Sequence, residues 1–312
     1  MNVVVTPCAV VIAYALDGAF GEPPDAIHPV AWIGSVVALG RDWALRAGRV
    51  GQLLRGAVVA IAIPTVSAAL AWAATKAIDR SPVIAVLVTA VLLKPCFAVR
   101  ALRDAALTVR DALGRGDLDA ARRGLGSLCS RKADGLDAGS LTAATIESVA
   151  ENASDSVVAP LFFFVCLGLP GAVFYRAVNT IDAMIGYHGR FEYAGKAGAR
   201  LDDALNFIPA RITALLLLFG GAILGANVRG GVRILRRDGA RTESPNAGRP
   251  MAAMAGLLGV RLEKEGHYAL GDDDKTLSPS SITMAWRIVS VASFAAFALA
   301  GALGIALGAL RG

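Results

Sequence analysis

The chain has 312 residues, 55% of them hydrophobic and only 18% charged, with a formal net charge of +6. Soluble domains carry about a quarter charged residues; the shortfall here is concentrated in a few long runs, which argues against an ordinary soluble globule. The excess of Lys and Arg is the bias of cytoplasmic loops in a multi-span protein, and no basic stretch is interleaved with aromatics, which argues against a nucleic-acid surface.

In chain order, the apolar start from Val3 to Leu16 lacks the basic leader of a secretory signal and reads as a retained first membrane segment, short against the roughly 20 residues of a full span. DGAFGEPPDAIHPVAWIG, Asp17 to Gly34, then sets two prolines and two acids beside His28 in a rigid turn at a membrane edge. Such a histidine is either structural or a proton acceptor. Gly56 to Ala74 and Pro82 to Val99 are the next two spans; Lys94 lies near an end of the second, where it could snorkel to the interface.

Arg100 to Asp155 reads as a polar helical insertion, broken at Gly114 and Gly116, with Asp117 placed to cap the following helix. It ends in ESVAENASDS, Glu147 to Ser156. Glu147, Glu151 and Asp155 are spaced by four, which puts three carboxylates on one helical face. Like charges at that spacing repel by about a few tenths of a kcal/mol per pair, and no Lys or Arg lies within the motif. A divalent cation would relieve them, and magnesium is commonly held by one or two carboxylates plus phosphate oxygens. The plainer reading is a solvated helix face.

Val157 to Val178 is apolar but interrupted by Gly168, Pro170 and Gly171. It is either a kinked span or a segment that dips in and returns, since broken backbone at membrane depth needs protein or water around it. NTIDAMIGY, Asn179 to Tyr187, places Asn179 and Asp182 on one helical face. ARLDDALNFIPAR, Ala199 to Arg211, sets Asp202, Asp203 and Asn206 near Arg200 and Arg211, whose guanidinium forks suit phosphate or carboxylate. A span follows from Ala210 to Val228. Arg229 to Ser281 reads as a polar basic loop region, in which SPNAGRP, Ser244 to Pro250, could present backbone N–H groups and the Asn246 amide to a ligand. Ser290 to Leu310 is the last span.

The fold class expected is all-α: a polytopic integral membrane protein of about five to six segments, residues 1–312 forming one membrane-embedded domain with a polar insertion at 100–155 and a basic loop region at 229–281. The four cysteines are isolated and form no zinc pattern, and no nucleotide-binding glycine loop is present. Acids and asparagines lie at the ends of the apolar runs rather than at their middles. Carriers tend to keep ionisable residues at the midplane, so the pattern favours an interfacial enzyme.

Taken together these blocks resemble the CobD/CbiB family, adenosylcobinamide-phosphate synthase. The resemblance rests on Asp17–Gly34 with its HPV at His28 to Val30, ESVAENASDSVVAPLF, AVNTIDAMIGY, ARLDDALNFIPAR and SPNAG, in that order along most of the chain. The chain departs from the family's usual pattern at Ser156, at Gly195-Lys196, at Arg249-Pro250-Met251 and at Glu263-Lys264-Glu265. The resemblance implies a multi-pass protein of the inner cell membrane that works in cobalamin biosynthesis alongside other membrane enzymes of that route. It implies an ATP-dependent carbon–nitrogen ligase joining (R)-1-amino-2-propanol or its O-phosphate to the free propionate of (adenosyl)cobyric acid, with Mg2+.

On that reading Glu147, Glu151, Asp155 and Asp182 are the metal ligands and, with His28, the catalytic set. Asn152, Asn179, Tyr187, Arg200, Asp202, Asp203, Asn206, Arg211, Ser244 and Asn246 would bind substrate. The alternatives are a corrinoid or small-solute transport component and a non-catalytic scaffold. One shared site for ESVAENASDS and NTIDAMIGY requires Val157–Val178 to be re-entrant or strongly broken near Gly168 to Gly171.

Overall fold

The computed structural model describes residues 5–77, 81–129 and 133–310; Val3 and Val4 of the first apolar run lie outside them. Among the described residues the chain is helical apart from one two-stranded antiparallel hairpin, β1 (Leu262–Lys264) with β2 (Tyr268–Leu270). Five helical runs are long and apolar enough to cross a membrane: Arg49–Ala77, Pro82–Gly114, Ala138–Ile185, Lys196–Ile223 and Pro279–Ala309. The N-terminal helix α1 (Val5–Phe20) has 16 residues, about 24 Å at 1.5 Å per residue, short of a core about 30 Å thick.

The chain divides into two compact units, one formed by Met1–Ala98, Ala159–Asn206 and Phe297–Gly312, the other by Val99–Val158 and Phe207–Ala296. The first contains α1, α2 (Pro29–Leu45), α3 (Arg49–Ala77), α4 (Pro82–Leu93) and α8 (Ala159–Ile185), with the start of α9 (Lys196–Ile223) and the end of α12 (Pro279–Ala309). Helix α8 packs against α2 and α3, and its Ile181 and Ile185 share a core with Val37 and Val59. Close approach here depends on glycine. A Cβ on Gly198 would stand 2.7 Å from the Ile181 side chain, and Gly56 and Gly195 lie directly against the backbone of Ala194 and Ile185.

The interrupted segment is where the fold turns. Gly168 sits at φ 71°, ψ −164° within α8, a conformation open essentially to glycine alone. A Cβ on Gly171 would lie 2.6 Å from the Phe163 carbonyl oxygen, and the Phe163 and Tyr175 rings stack at 5.3 Å. In a straight helix, residues 12 apart are about 18 Å apart. The chain therefore reverses at Gly168, and residues 159–167 and 169–185 form a helical hairpin. The expected break near Gly168 to Gly171 is present, and the chain turns back on itself there.

The second unit contains α5 (Val99–Gly114), α6 (Leu118–Leu125), α7 (Ala138–Ala153), α10 (Val228–Asp238) and α11 (Gly248–Leu258), with the rest of α9 and α12 and the β-hairpin. Asp117 caps α6 as expected, accepting the Ala120 N–H at 2.9 Å. Helix α7 is packed by α5, α6, α11 and β1, and residues 141–150 are buried without interruption. A helix covered on every side suits its run of Ala, Leu, Ile and Thr. The region 229–281, expected as loop, instead holds α10 and α11. Their pattern is short and glycine-rich because they pack backbone to backbone: a Cβ on Gly256 would stand 2.8 Å from the Gly231 Cα.

Candidate functional site

In the first unit the returning arm of α8 brings Tyr175, Arg176, Asn179 and Asp182 alongside the start of α9, which carries Asp202, Asp203 and Asn206. Asp202 and Asn206 are buried, at 8% and 2% exposure. The Tyr175 hydroxyl donates to Asn206 Oδ1 at 2.9 Å, and Asn206 Nδ2 donates to Asp202 Oδ2 at 2.9 Å. Arg176 donates to Asn179 Oδ1 at 3.2 Å, with the Asn179 side chain next to Asp202. Each partner leaves its neighbour one way to point, so Asp202 is held by an ordered chain of neutral donors.

The other carboxylate oxygen, Asp202 Oδ1, is buried with no hydrogen-bond partner. Asp202 makes no ion pair among the described residues, and both Asp182 and Asp203 are close enough to interact with it electrostatically. An acceptor that is buried, braced and unsatisfied is costly to maintain, and a cationic or hydrogen-bonding ligand would relieve it.

His28 is placed differently. Its Nδ1 accepts the Val30 N–H at 3.1 Å, capping α2, so a neutral ring carries its proton on Nε2, which lies 2.8 Å from Glu22 Oε2. Both nitrogens are engaged, and the expected role of proton acceptor has no free lone pair to act through. The geometry makes His28 a positioning residue. Glu22 Oε1 lies 2.8 Å from Lys94 Nζ, which also pairs with Asp17 at 3.2 Å. Lys94 is therefore buried among acids, at 6% exposure, instead of snorkelling outward.

In the second unit Glu147 is buried, while Glu151, Asn152 and Asp155 are half-buried. Glu147 and Glu151 share a face of α7, but Asp155 lies on a five-residue π-helical turn, Ser154–Val158. That wider turn changes the register the even spacing implies for a single α-helix. Such turns are rare and concentrate at functional sites. Asn152 is engaged locally: it donates to the Ser148 carbonyl at 2.9 Å and accepts from Ser156 at 3.2 Å.

The same unit joins two distant motifs. Arg211 lies 3.6 Å above the Phe207 ring and donates to Asn246 Oδ1 at 3.0 Å. Arg249 is near enough to add its charge, and its buried Nε has no hydrogen-bond partner. The SPNAGRP turn uses its backbone donors internally, Gly248 N–H to Thr242 and Arg249 N–H to the Asn246 carbonyl. What it offers a ligand is side chains, and not the open N–H groups expected. Ser244 serves the turn itself, accepting the Asn246 N–H.

Asn179, Asp182, Asp202, Asp203 and Asn206 are thus brought together in one unit, and Arg211 with Ser244 and Asn246 in the other. Arg200 and Tyr187 are exposed; Tyr187 donates to the Ala183 carbonyl at 2.8 Å. Among the described residues no three His, Cys, Asp or Glu side chains form a set that could hold a metal on their own. Tyr175 and Arg176 were not singled out from the sequence, and Lys94 and Arg249 were not read there as site residues. The signal for Arg176 was available, as a cation three residues before Asn179 and therefore on the same helical face.

Comparison with known proteins agrees with the motifs. The family model described as CobD/Cbib protein matches residues 10–289. The chain is 43% identical to the cobalamin biosynthesis protein CobD of Dehalococcoides mccartyi over 89% of its own length and 91% of the relative's. It is 41% identical to a probable cobalamin biosynthesis protein CobD of Methanothermobacter thermautotrophicus, covering 90% and 92%, and 39% identical to the Geobacter metallireducens CobD protein, covering 89% of each. No solved structure matches.

Proposed function

This chain belongs to the CobD/CbiB family of cobalamin biosynthesis, and from that premise we propose that it joins an amine to the free propionate of (adenosyl)cobyric acid at the inner cell membrane. The amine would be 1-amino-2-propanol or its O-phosphate. The observation that carries the reading is Asp202: a buried carboxylate held by neutral donors, with one oxygen open, beside two further acids.

An aminoalcohol arrives as an ammonium ion and must lose a proton before it can attack a carbonyl carbon. Asp202 Oδ1 holds the ammonium, and a carboxylate of the Asp182, Asp202 and Asp203 set takes its proton. Tyr175, Asn206 and Asn179 fix the acceptor so that the amine is presented in one orientation. The turn of α8 at Gly168 supports this reading, because its returning arm carries Tyr175 and Asn179 to Asp202.

A carboxylate is a poor acyl donor, and ATP with Mg2+ supplies the activation. The donor sets fit those groups. Arg211, with Arg249 beside it and Asn246 bonded to it, forms a cationic pair with an unmatched buried donor, which suits phosphate. Glu147 and Glu151, on one face of α7, would give a magnesium ion one or two carboxylate ligands, with the rest from phosphate and water.

The test is purified protein in detergent with cobyric acid, ATP, Mg2+ and each amine in turn, read by mass spectrometry. Product should form without a sealed compartment, and Asp202→Asn should reduce it with a raised KM for the amine. Product that appears only as transport across vesicles, or full activity of Asp202→Asn, would sink the reading.

A further inference from the structure

Helix α10 carries a second, separate cationic feature. It buries Gly230, Gly231, Ile234 and Asp238 against its surroundings, and its glycines meet the α11 backbone at Gly256. The opposite face holds Arg229, Arg233, Arg236 and Arg237, all exposed, at spacings that bring like charges together.

Acids answer only some of these. Asp272 pairs with Arg233 at 2.8 Å and Arg237 at 2.7 Å, and buried Asp238 pairs with Arg237 at 2.7 Å and Arg241 at 3.0 Å. Asp238 is itself fixed by the Gly271 N–H at 2.9 Å. Among the described residues Arg229 and Arg236 make no ion pair. With Arg233, Arg237, Val228 and Val232 they line a shallow groove, open to solvent, along this face of α10. Two guanidinium forks are thus pinned in place and two stand unmatched beside them.

The groove also has a defined place along the chain. Helix α9 ends at Ile223, with Phe219 and Ile223 exposed. A tight turn follows, in which Ala226 N–H donates to the Gly221 carbonyl at 2.8 Å. Asn227 then caps α10 by accepting the Gly230 N–H at 2.9 Å. Helix α10 therefore begins within a few residues of the end of a helix long and apolar enough to cross a membrane.

We propose that this groove binds a phosphate-bearing anion, with Arg229 and Arg236 as the free forks and Arg233 and Arg237 as the fixed ones. Bidentate guanidinium geometry suits a phosphate group whatever carries it. Two sources share this chemistry, a phospholipid headgroup and a soluble polyphosphate. The site lies on a different helix from the residues proposed for catalysis and does not depend on them.

The test uses the full-length protein in detergent, titrated with dioctanoyl phosphatidylglycerol, with phosphate-free dioctanoylglycerol and with inorganic tripolyphosphate, reading native mass spectra and unfolding temperature. Arg229→Gln/Arg236→Gln removes the unmatched forks and leaves the Asp238 and Asp272 pairs intact. Arg115→Gln/Arg123→Gln removes the same charge from exposed positions elsewhere. Binding of a phosphate probe should weaken about tenfold in the first double variant and stay unchanged in the second. Loss confined to phosphatidylglycerol identifies a headgroup site, and loss confined to tripolyphosphate identifies a soluble ligand. Equal loss in both double variants, equal binding of phosphatidylglycerol and dioctanoylglycerol with no tripolyphosphate binding, or no binding of any probe would overturn the proposal.

Discussion

Two polar clusters lie in the same unit, each around a buried charged side chain, and they balance charge in different ways. Around Lys94, the acids Asp17 and Glu22 meet a cation, and Glu22 also meets His28. Around Asp202 the partners are amides and, through Asn206, a phenol, and one oxygen is left without any partner. A cluster whose charges are matched from within contributes to stability: it fixes the DGAFGEPPDAIHPV turn to the end of α4. A cluster with an open acceptor is preorganised for something that arrives from outside. The cluster that sequence reading would rank for its histidine is the matched one.

The largest effect on activity is expected at a third acid set. Glu151→Ala on α7 should abolish product formation while membrane insertion and unfolding temperature stay near wild type; full activity would remove Glu151 from the site. Next, Asp202→Asn should lower kcat/KM for the amine by about 10²–10⁴ with little change in unfolding temperature. Lys94→Met should reverse that pattern. It leaves buried Asp17 and the more exposed Glu22 without their cation, a loss of up to about 3–5 kcal/mol, visible as a lower unfolding temperature in detergent, with turnover per folded molecule kept. If Lys94→Met instead lost turnover without loss of stability, the distinction between the clusters would fail.

Gly168→Ala probes the hairpin that positions the open cluster. Alanine at φ 71°, ψ −164° should cost about 1–3 kcal/mol, and because Tyr175 lies on the returning arm, activity should fall with stability. The smallest effect concerns pH and lies outside both clusters. Burial alone would raise the Asp238 carboxyl, but the Arg237 fork, the Gly271 N–H and the charges of Arg237 and Arg241 outweigh it and hold the group below its ordinary range. Its contribution is therefore full above the unfolded value of about 3.9 and is lost as pH falls through the lower folded value. Unfolding temperature should drop below about pH 4 in the wild type and drop less in Asp238→Asn.

Much of this was legible in the chain itself. The apolar runs, the Asp117 cap, the acids at the ends of spans and the break at Gly168–Gly171 follow from local patterns: hydrophobic length, a capping spacing and residues that helices reject. The family followed from five blocks in order. Two helices inside 229–281 were not legible, because α10 and α11 pair through Gly230, Gly231 and Gly256, and glycines at a helix–helix contact look like loop signals when read one segment at a time.

The sequence by itself determined that long charge-poor segments of this protein belong in lipid, and which acids, amides and arginines stand at their ends. Composition and spacing decide such things because the cost of burying charge and the period of a helix are local. Tertiary structure alone decided what those side chains meet. It turned the Val157–Val178 run back at Gly168, set Tyr175 and Asn206 against Asp202, paired Arg211 with Asn246 across 35 residues, and engaged both nitrogens of His28. Hydrogen-bond partners and charge neighbours are properties of distance in space, and helices that are far apart along the chain supply them.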